Sequence, residues 1–443
     1  MLRAFVSSFK IPELKRRILF TLSLLVVFRV GGHVPVPWID VKALALYWES
    51  TRGGGLLELY DMFVGGAFER ATIFALGIMP YISASIILQL LGSVIPFFQK
   101  LQKEGQEGMK KINQYTRYGT IFLAAAQSLG VSFFLESLQL RDGAPIVLHP
   151  GWSFRLMTMI SITAGTVFIM WLGEQIQERG IGNGISLLIF IGIVADLPGA
   201  LFQEFQEFRT NERGIIPELF LLALMAVVTG LVVLITQGQR KIPVQYAKRI
   251  VGRRVYGGQS THIPLRVNTP GVIPIIFAQA IMFLPATVGS MFPGSEIVQR
   301  IVEQFTRETV VYWAFYSLLI IFFSYFYTAI VFNPVDLADN MKKHGGFIPG
   351  IRPGKKTSDY IDRILTRITL PGSIFLAGIA IFPFIVTQIM HVSPAFGQFF
   401  GGTGLLIVVG VALDTLQQME THLMMRHYEG FMKRGRIRGR RGL

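Results

Sequence analysis

Ten apolar stretches constrain the fold of this chain more than any other feature of its sequence. Each is about 20 residues long, enough for a helix to cross the hydrocarbon core of a bilayer. Backbone polar groups in lipid must be hydrogen-bonded within the protein, so the stretches are predicted to be helices, and the alternation typical of a membrane β-barrel is absent. The predicted spans are residues 18–37, 71–97, 117–137, 155–174, 181–201, 215–236, 271–290, 310–333, 368–390 and 402–421.

Composition supports the same fold class. Hydrophobic residues make up 51% of the 443 residues, and charged residues make up only 16%. A soluble protein of this length would carry more charge, so the chain is predicted to be an all-α polytopic membrane protein. It contains no cysteine, which excludes disulfides, thiolate metal sites and cysteine nucleophiles.

The distribution of lysine and arginine predicts the orientation of the spans. If the N-terminus is cytoplasmic, the inside segments carry 32 of the 42 basic residues and the outside segments carry 8. Basic residues accumulate on the cytoplasmic side of membrane proteins. Both termini are therefore predicted to be cytoplasmic.

Ten spans divide into two halves of five. An odd number of spans in each half makes the second half enter the membrane from the opposite side, and such inverted halves are common where a pathway runs between them. The predicted organisation is an N-terminal half (1–201), an external loop (202–214), a C-terminal half (215–421) with basic cytoplasmic loops (237–270 and 335–367), and a basic cytoplasmic tail (422–443).

The sequence contains no motif that indicates enzymatic chemistry. None of the seven histidines has the spacing of a metal site, and the G-x-S-x-G motif of hydrolases is absent. The stretch "GIRPGKKT" does not match a phosphate-binding loop, because only three residues separate Gly350 from Gly354 and Lys355 is followed by another lysine. The chain is predicted not to be an enzyme and to need no cofactor.

A secondary transporter built from inverted repeats is the alternative function. Charged side chains within spans mark transport sites in many carriers. The candidates here are Arg29, Glu174, Asp196 and Asp414, and all lie near predicted span ends, where an interfacial position explains them equally well. No span centre carries a pair of charges suited to ion coupling, which weakens this alternative without eliminating it.

The predicted cytoplasmic loop at 237–270 carries seven basic residues and no acidic residue. Its segments "RRVY" and "THIPLRV" flank "GGQS", which predicts a β-hairpin at the tip of the loop. A protruding basic surface suits either an RNA phosphate backbone or an acidic protein, and composition alone does not choose between them.

The stretch "GGGLLELYDMFVGGAFERATIF", from Gly53 to Phe74, differs from its surroundings. It is too short and too charged to cross a bilayer, yet too apolar to be an ordinary exposed loop. The residues alone leave open an interfacial re-entrant helix without any gating role.

Six stretches, in this order along nearly the whole chain, resemble the SecY family of bacterial protein-conducting channels. They are "MFVGGAFERATIFALGIMPYISASIILQLL", "KINQYTRYGT", "MWLGEQIQERGIGNGIS", "YAKRIVGRRVYGGQSTHIPLRVN", "FFSYFYTAIVFNPVDLADNMKKHGGFIPGIRPG" and "GGTGLLIVVG". The resemblance implies a central pore between spans 1–5 and spans 6–10, and a lateral opening to lipid between spans 2 and 7. It also implies that the external loop 202–214 is the hinge between the two halves. It further implies translocation of unfolded polypeptides across the bacterial plasma membrane, with release of apolar segments into lipid.

The resemblance also implies partners. These are small membrane subunits of the SecE and SecG types, the motor ATPase SecA, the ribosome through contacts of its RNA with the basic loops, signal peptides and nascent chains, and membrane lipid. A carrier would neither contain such a small helical subunit nor bind SecA.

The resemblance assigns roles in gating to two sets of residues. Residues 55–69 correspond to the plug, a weakly held short helix that folds back into the external funnel, with Gly55, Leu56, Leu57, Leu59, Tyr60, Met62, Phe63, Val64 and Phe68 as its functional residues. The pore ring, an apolar constriction that gates by excluding water, corresponds to Ile78, Ile82, Ile185, Ile189, Ile276 and Ile407.

Two further sets correspond to the seam between the halves and to the docking surface. The lateral gate is expected at Ser83, Ser85, Gln89, Asn268, Thr269 and Gln279. Docking of SecA or the ribosome is expected at Arg240, Lys248, Arg249, Arg253, Arg254, Arg352, Lys355 and Lys356.

Overall fold

The structure is a computed structural model of the chain. It describes residues 11–51, 56–138, 145–209, 215–246, 249–251, 254–256, 260–291, 295–304, 309–390 and 402–434.

Helices dominate the described residues, and each of the ten predicted spans overlaps one. In chain order the helices are α1 (Pro12–Gly31), α2 (Val41–Thr51), α3 (Leu56–Val64), α4 (Met79–Val94), α5 (Pro96–Lys103), α6 (Gln106–Ser137), α7 (Trp152–Arg179), α8 (Gly184–Arg209), α9 (Ile215–Gln237), α10 (Ile273–Met291), α11 (Glu296–Gln304), α12 (Val310–Val331), α13 (Pro334–Lys343), α14 (Lys355–Met390) and α15 (Gly402–Arg434).

Length and composition identify the helices that can cross a membrane. Seven such segments occur among the described residues. Six are all or part of a single helix (α6, α7, α8, α9, α14 or α15), and the seventh joins α12 and α13. An eighth is obtained if α4 and α5 form one broken span. Two of the ten predicted spans remain. The first overlaps α1, and the other overlaps α10, whose apolar part is Ile273–Phe283. The prediction of an all-α polytopic membrane protein is confirmed.

The break between α4 and α5 has a local cause. The two helices are bent by 97° at Ile95, which has extended backbone angles (φ −90°, ψ 121°). Pro96 disfavours helical geometry at the residue before it and has no N–H to donate, so the chain stops one helix and starts another. Phe97 and Phe98 both contact the ring of Tyr115 on α6, which fixes the new direction.

The second span begins later than predicted. The prediction placed its start at residue 71, but α4 begins at Met79 and residues 65–78 form turns. Gly65, Gly66 and Gly77 have left-handed backbone angles (φ 71°, 77° and 52°), which a right-handed helix does not contain. Hydropathy did not reveal the turns because they are as apolar as the helix that follows.

The predicted cytoplasmic loops form β-structure. The strands are β1 (Gln239–Tyr246), β2 (Arg249–Val251), β3 (Arg254–Tyr256), β4 (Ser260–Arg266) and β5 (Gly346–Phe347). β1 lies between β4 and β5 in a three-stranded antiparallel sheet, and β2 pairs with β3 in a separate ribbon.

The predicted pairing of the hairpin is wrong. "RRVY" was expected to pair with "THIPLRV", but β3 in the first segment pairs with β2, and β4 in the second pairs with β1. The physical reason lies in β1, where the buried residues Ile242 and Val244 alternate with exposed ones. Pairing with β4 lets them share one core with Leu265 and with Ile361 of α14. The prediction had overlooked β1 as a strand.

The chain divides into two compact units. The first contains described residues within 1–198, 286–298 and 407–443, and the second contains those within 199–285 and 299–406. The proposed division at 201 and 215 stays a prediction. Its external loop was placed too early, because α8 continues through residues 202–209. In the first unit, α7 supplies fully buried side chains such as Ile162, Ile169 and Leu172. In the second unit, the sheet packs on α13 and α14.

Candidate functional site

The segment that does not fit its surroundings contains α3, and its end is defined by two glycines. Gly66 N–H donates to the carbonyl of Asp61 (3.0 Å), and Gly65 N–H donates to that of Met62 (3.2 Å). These bonds and the positive φ of both glycines form the Schellman motif that terminates many helices. The chain therefore turns back at a fixed point after α3.

The described side chains of this segment are buried in the first unit. Tyr60, Met62, Phe63, Val64 and Phe68 are all buried. The Tyr60 hydroxyl donates to the carbonyl of Leu76 (2.9 Å), and the Phe68 ring stacks on Phe134 of α6 at 6.0 Å between centroids. Gly55, and the side chains of Leu56, Leu57 and Leu59, lie outside the described residues.

Asp61 closes the turn through its side chain. Its Oδ1 accepts hydrogen bonds from the backbone N–H groups of Phe68 (2.8 Å) and Glu69 (2.9 Å). Burial raises the pKa of the Asp61 carboxyl from 3.8 to about 7, and the charges of Glu69 and Asp196 add to the rise. The two N–H donors act in the opposite direction, since they stabilise the carboxylate. The segment therefore packs better with Asp61 protonated.

This pKa predicts a pH dependence of stability. The packed carboxyl binds a proton near pH 7 and the unpacked one only near 3.8, so the folded state gains stability as pH falls through 7. Asp61→Asn keeps the acceptor Oδ1 and removes the charge. We expect its Tm in detergent to exceed that of the wild type at pH 8, and the difference to shrink towards pH 5.

The matched control is Asp362→Asn, which neutralises an exposed carboxylate in the second unit. Its Tm difference from the wild type should not show the same trend. A Tm difference for Asp61→Asn that is constant from pH 8 to pH 5 would contradict the buried, protonated carboxyl.

Arg29, at the end of α1, contacts the turn after α3. Its Nη1 donates to the carbonyl of Gly65, and its Nη2 lies 3.9 Å from Oδ1 of Asp196 on α8. The sequence singled out Arg29 and Asp196 only as charges near span ends and missed their common contact. The available signal was that each is a charge in an apolar stretch, but nothing in the sequence paired them.

Glu174, a further candidate from the sequence, and Arg155 each form an ion pair within the first unit. Arg117 donates two hydrogen bonds of 2.8 Å to the carboxylate of Glu174. Arg155 lies 2.7 Å from Glu136 and over the ring of Phe133. The described residues also contain no group of three or more His, Cys, Asp or Glu side chains that could hold a metal ion.

Five of the six isoleucines assigned to the pore ring belong to the first unit. Ile78 caps α4 and lies one turn before Ile82, whose N–H donates to its carbonyl (3.1 Å). Ile82, Ile189 of α8 and Ile407 of α15 are buried. Ile185 is half-buried.

Ile185 and Ile276, also assigned to the ring, belong to different units. Ile185 lies beside Gly173 of α7, where a Cβ would be 3.4 Å from its Cγ1. Ile276 is buried on α10 in the second unit. The joining of all six isoleucines into one ring stays a prediction.

The residues assigned to the lateral gate lie on α4 and around the start of α10. Ser83, Ser85 and Gln89 are half-buried on α4, where Gln89 Nε2 donates to Ser85 Oγ (3.1 Å). Thr269 donates to the carbonyl of Arg266 (2.8 Å).

Two side chains of the group around the start of α10, Asn268 and Gln279, are buried. Asn268 Oδ1 and Gln279 Nε2 have no hydrogen-bond partner among the described residues. Buried polar atoms of this kind are costly unless another group or water reaches them. Because α4 and the first part of α10 belong to different units, the gate stays a prediction.

The basic loops present their charges from one folded body in the second unit. Arg240 is exposed on β1, and Arg352 is exposed in a turn between Gly350 and Gly354, whose φ angles are 81° and 100°. The Thr357 hydroxyl donates to the carbonyl of Arg352 (2.9 Å), which fixes the turn. We call the sheet, this turn and the start of α14 the basic platform.

The platform carries charges that do not serve helix stability. Lys355 and Lys356 are exposed in the first turn of α14, where positive charge opposes the helix dipole. The docking role expected for both lysines stays a prediction. Lys248 and Arg253, and the side chains of Arg249 and Arg254, lie outside the described residues.

Comparisons with known proteins agree with this architecture. The chain is 47% identical over 430 residues to "Protein translocase subunit SecY" of Escherichia coli, covering 96% of each chain. It is 44% identical over 448 residues to the subunit of the same name from Thermotoga maritima, covering 100% of each.

Solved structures share the fold. The protein described under "The structure of a protein conducting channel" matches with TM-score 0.65 and 17% identity, covering 92% of each chain. "Sec61 in the Canine ribosome-channel complex from the endoplasmic reticulum" matches with TM-score 0.61 and 16% identity, also covering 92% of each. The SecY family model matches residues 72–416. Together with the full-length relatives, this match shows that the chain belongs to the SecY family.

Proposed function

We propose that the chain is the central subunit of a protein-conducting channel. It translocates unfolded polypeptides across the bacterial plasma membrane and releases apolar segments laterally into lipid. Membership of the SecY family carries this proposal, because the relatives that cover the whole chain are translocase subunits by name. The family relationship also argues against the secondary transporter.

In this proposal residues 55–69 are the plug. The helix α3 and its return turn form a compact element within the first unit, packed on a span through contacts such as that between Phe68 and Phe134 of α6. Such an element can leave and return as a body. In its seated position, with the contacts described above, it closes the pore when no polypeptide is present.

We assign the six isoleucines to the constriction of the pore. Apolar side chains exclude water from a narrow passage, so the passage conducts few ions when empty. The same side chains form no directional bonds with a translocating chain, and polypeptides of varied sequence can slide through. The lateral gate on α4 and α10 then lets apolar segments leave towards lipid.

The driving force comes from partners. The sequence has no nucleotide-binding motif, so a motor or a translating ribosome must supply the energy. We propose that SecA or the ribosome docks on the basic platform, and that SecE-type and SecG-type subunits complete the complex. Signal peptides and nascent chains are its substrates. The spans cross the membrane with both termini in the cytoplasm.

Deleting residues 55–69 tests the proposed function. We expect the deleted channel to fold and to show increased ion conductance in planar bilayers in the absence of substrate. Deleting residues 296–304, which form the nine-residue helix α11 outside the plug, provides a control deletion. Unchanged conductance after removal of residues 55–69 would refute the gating role.

A further inference from the structure

We infer that Arg29 is the latch of the plug, a positioning residue that sets how easily the plug leaves its seat. This inference rests on the proposed function, since it assigns a holding contact to the element proposed to gate the pore. Arg29 lies at the end of the first span, 36 residues before the carbonyl it binds. It joins the plug to two spans of the first unit, α1 and α8.

The guanidinium suits this contact chemically. The carbonyl of Gly65 lies just beyond the last turn of α3, where unpaired carbonyls carry the negative end of the helix dipole. Arg29 Nη1 donates to this oxygen, and a cation makes such a bond stronger than a neutral donor would. Removing the side chain leaves the plug without its charged contact to α1.

Asp196 orients the guanidinium from the other side. Its Oδ1 lies 3.9 Å from Arg29 Nη2, and both side chains are about one-third exposed (30% and 34%). An ion pair at this distance and exposure contributes little by itself. Its effect is to aim Nη1 at the plug, so the bond to Gly65 is the stronger part of the latch.

Close packing around Gly65 shows that Arg29 lies directly against the plug in its seated position. A Cβ on Gly65 would lie 2.9 Å from Arg29 Nη1 and 3.0 Å from Cα of Gly192. A Cβ on Gly192 would in turn lie 2.8 Å from the carbonyl oxygen of Phe63. Gly192 and Asp196 are one helical turn apart, so one face of α8 carries both the seat of the turn and the partner of the latch.

The side chain of Arg29 can be changed without disturbing its backbone contacts. The carbonyl of Arg29 accepts from Nδ1–H of His33 (2.9 Å), which leaves Nε2 of His33 to accept from Arg70 Nη1 (2.9 Å). Arg29→Gln removes the guanidinium and leaves these bonds available. A variant at this position therefore tests the latch itself.

The chain has no cysteine, so an engineered pair can report the plug's position. A Cβ on Gly32 would lie 3.9 Å from Cβ of Ala67, within the range of disulfides, and Gly32 has an ordinary φ of −68°. The Gly32→Cys, Ala67→Cys pair should crosslink readily when the plug is seated. The rate of disulfide formation in the intact channel complex then measures seating.

We expect Arg29→Gln in this background to slow disulfide formation about tenfold, the size expected for losing one charge-assisted hydrogen bond. It should also raise substrate-free ion conductance. Arg29→Lys, which keeps the charge with one point-like donor, should lie between Arg29→Gln and the wild type. Asp196→Asn should have a smaller effect and add nothing to Arg29→Gln, because both act through one contact.

Arg155→Gln is the matched control. It removes another paired arginine of the first unit, whose described contacts are with Glu136, Phe133 and Trp152 rather than with the plug. An equal loss of crosslinking in Arg155→Gln would overturn the latch, because the effect would then be general destabilisation. Unchanged crosslinking in Arg29→Gln would also overturn it.

Removal of the plug separates the latch from the proposed function. If deleting residues 55–69 raises conductance and Arg29→Gln does not, the plug assignment is supported and the inference about the latch is wrong. If neither change raises conductance, the gating role proposed for the segment fails, and the latch fails with it.

Discussion

Replacing Ile82, Ile189 and Ile407 together with serine is expected to raise the ion leak of the resting channel about tenfold or more. Burying one isoleucine is worth about 1.5–3 kcal/mol, and 1.4 kcal/mol corresponds to a tenfold change in an equilibrium. Hydroxyl groups lower the free energy of water in the constriction by a comparable amount. Conductance of the purified complex in planar bilayers without substrate measures the leak.

The control replaces three exposed apolar side chains on other helices, Leu156, Ile160 and Leu222. Serine there meets lipid or a partner subunit rather than the proposed constriction, so the leak should stay at the wild-type level. The buried isoleucines also contribute to folding, so thermal stability must be compared in parallel. An equal leak from both triple variants would show that the constriction lies elsewhere.

Arg352 gives the second large effect. We expect Arg352→Glu to reduce SecA-driven translocation about a hundredfold and Arg352→Lys about tenfold, because a planar guanidinium binds a carboxylate through two bonds and an ammonium does not. The turn supports this expectation, since Gly350, Gly354 and the bond from Thr357 hold the residue outward in a fixed geometry. The assay measures uptake of a secreted precursor into vesicles.

Arg363, exposed on α14 within the same loop, provides the comparison for Arg352. Arg363→Lys keeps a topological charge as Arg352→Lys does, and protease mapping checks that both variants insert normally. If Arg352→Lys translocates as well as Arg363→Lys, Arg352 only fixes topology and is not part of the docking surface.

The helices could be predicted because a helix that crosses a membrane needs one long apolar segment, and such a segment is visible in a short stretch of sequence. α9 and α12 lie where hydropathy placed them, whereas α8 continues to Arg209, beyond the predicted end at residue 201. The start of α4 could not be placed this way, because the left-handed glycines before it depend on backbone geometry rather than hydropathy. The pairing of β1 with β4 escaped for a related reason, since it is selected by a core shared with α14.

The candidate site was predictable only as a set of residues. The resemblance placed a short helix at residues 55–69, and α3 occupies that position. The segment was expected to be weakly held, and its contacts through Tyr60, Asp61 and Arg29 were not predicted. The contacts of Tyr60 and Arg29 join residues 16 and 36 positions apart, and a single sequence carries no signal for such pairs.

The passage of polypeptide past the proposed constriction is the central claim, and an arrested substrate tests it most directly. Photoreactive residues would replace Ile82, Ile189 or Ile407, and separately Leu156, Ile160 or Leu222, in complexes holding a precursor stalled during translocation. We expect crosslinks to the precursor from the three isoleucine positions and none from the other three. Crosslinks from the exposed positions alone, or from none of the six while the precursor stays stalled in the vesicle, would contradict the channel described here.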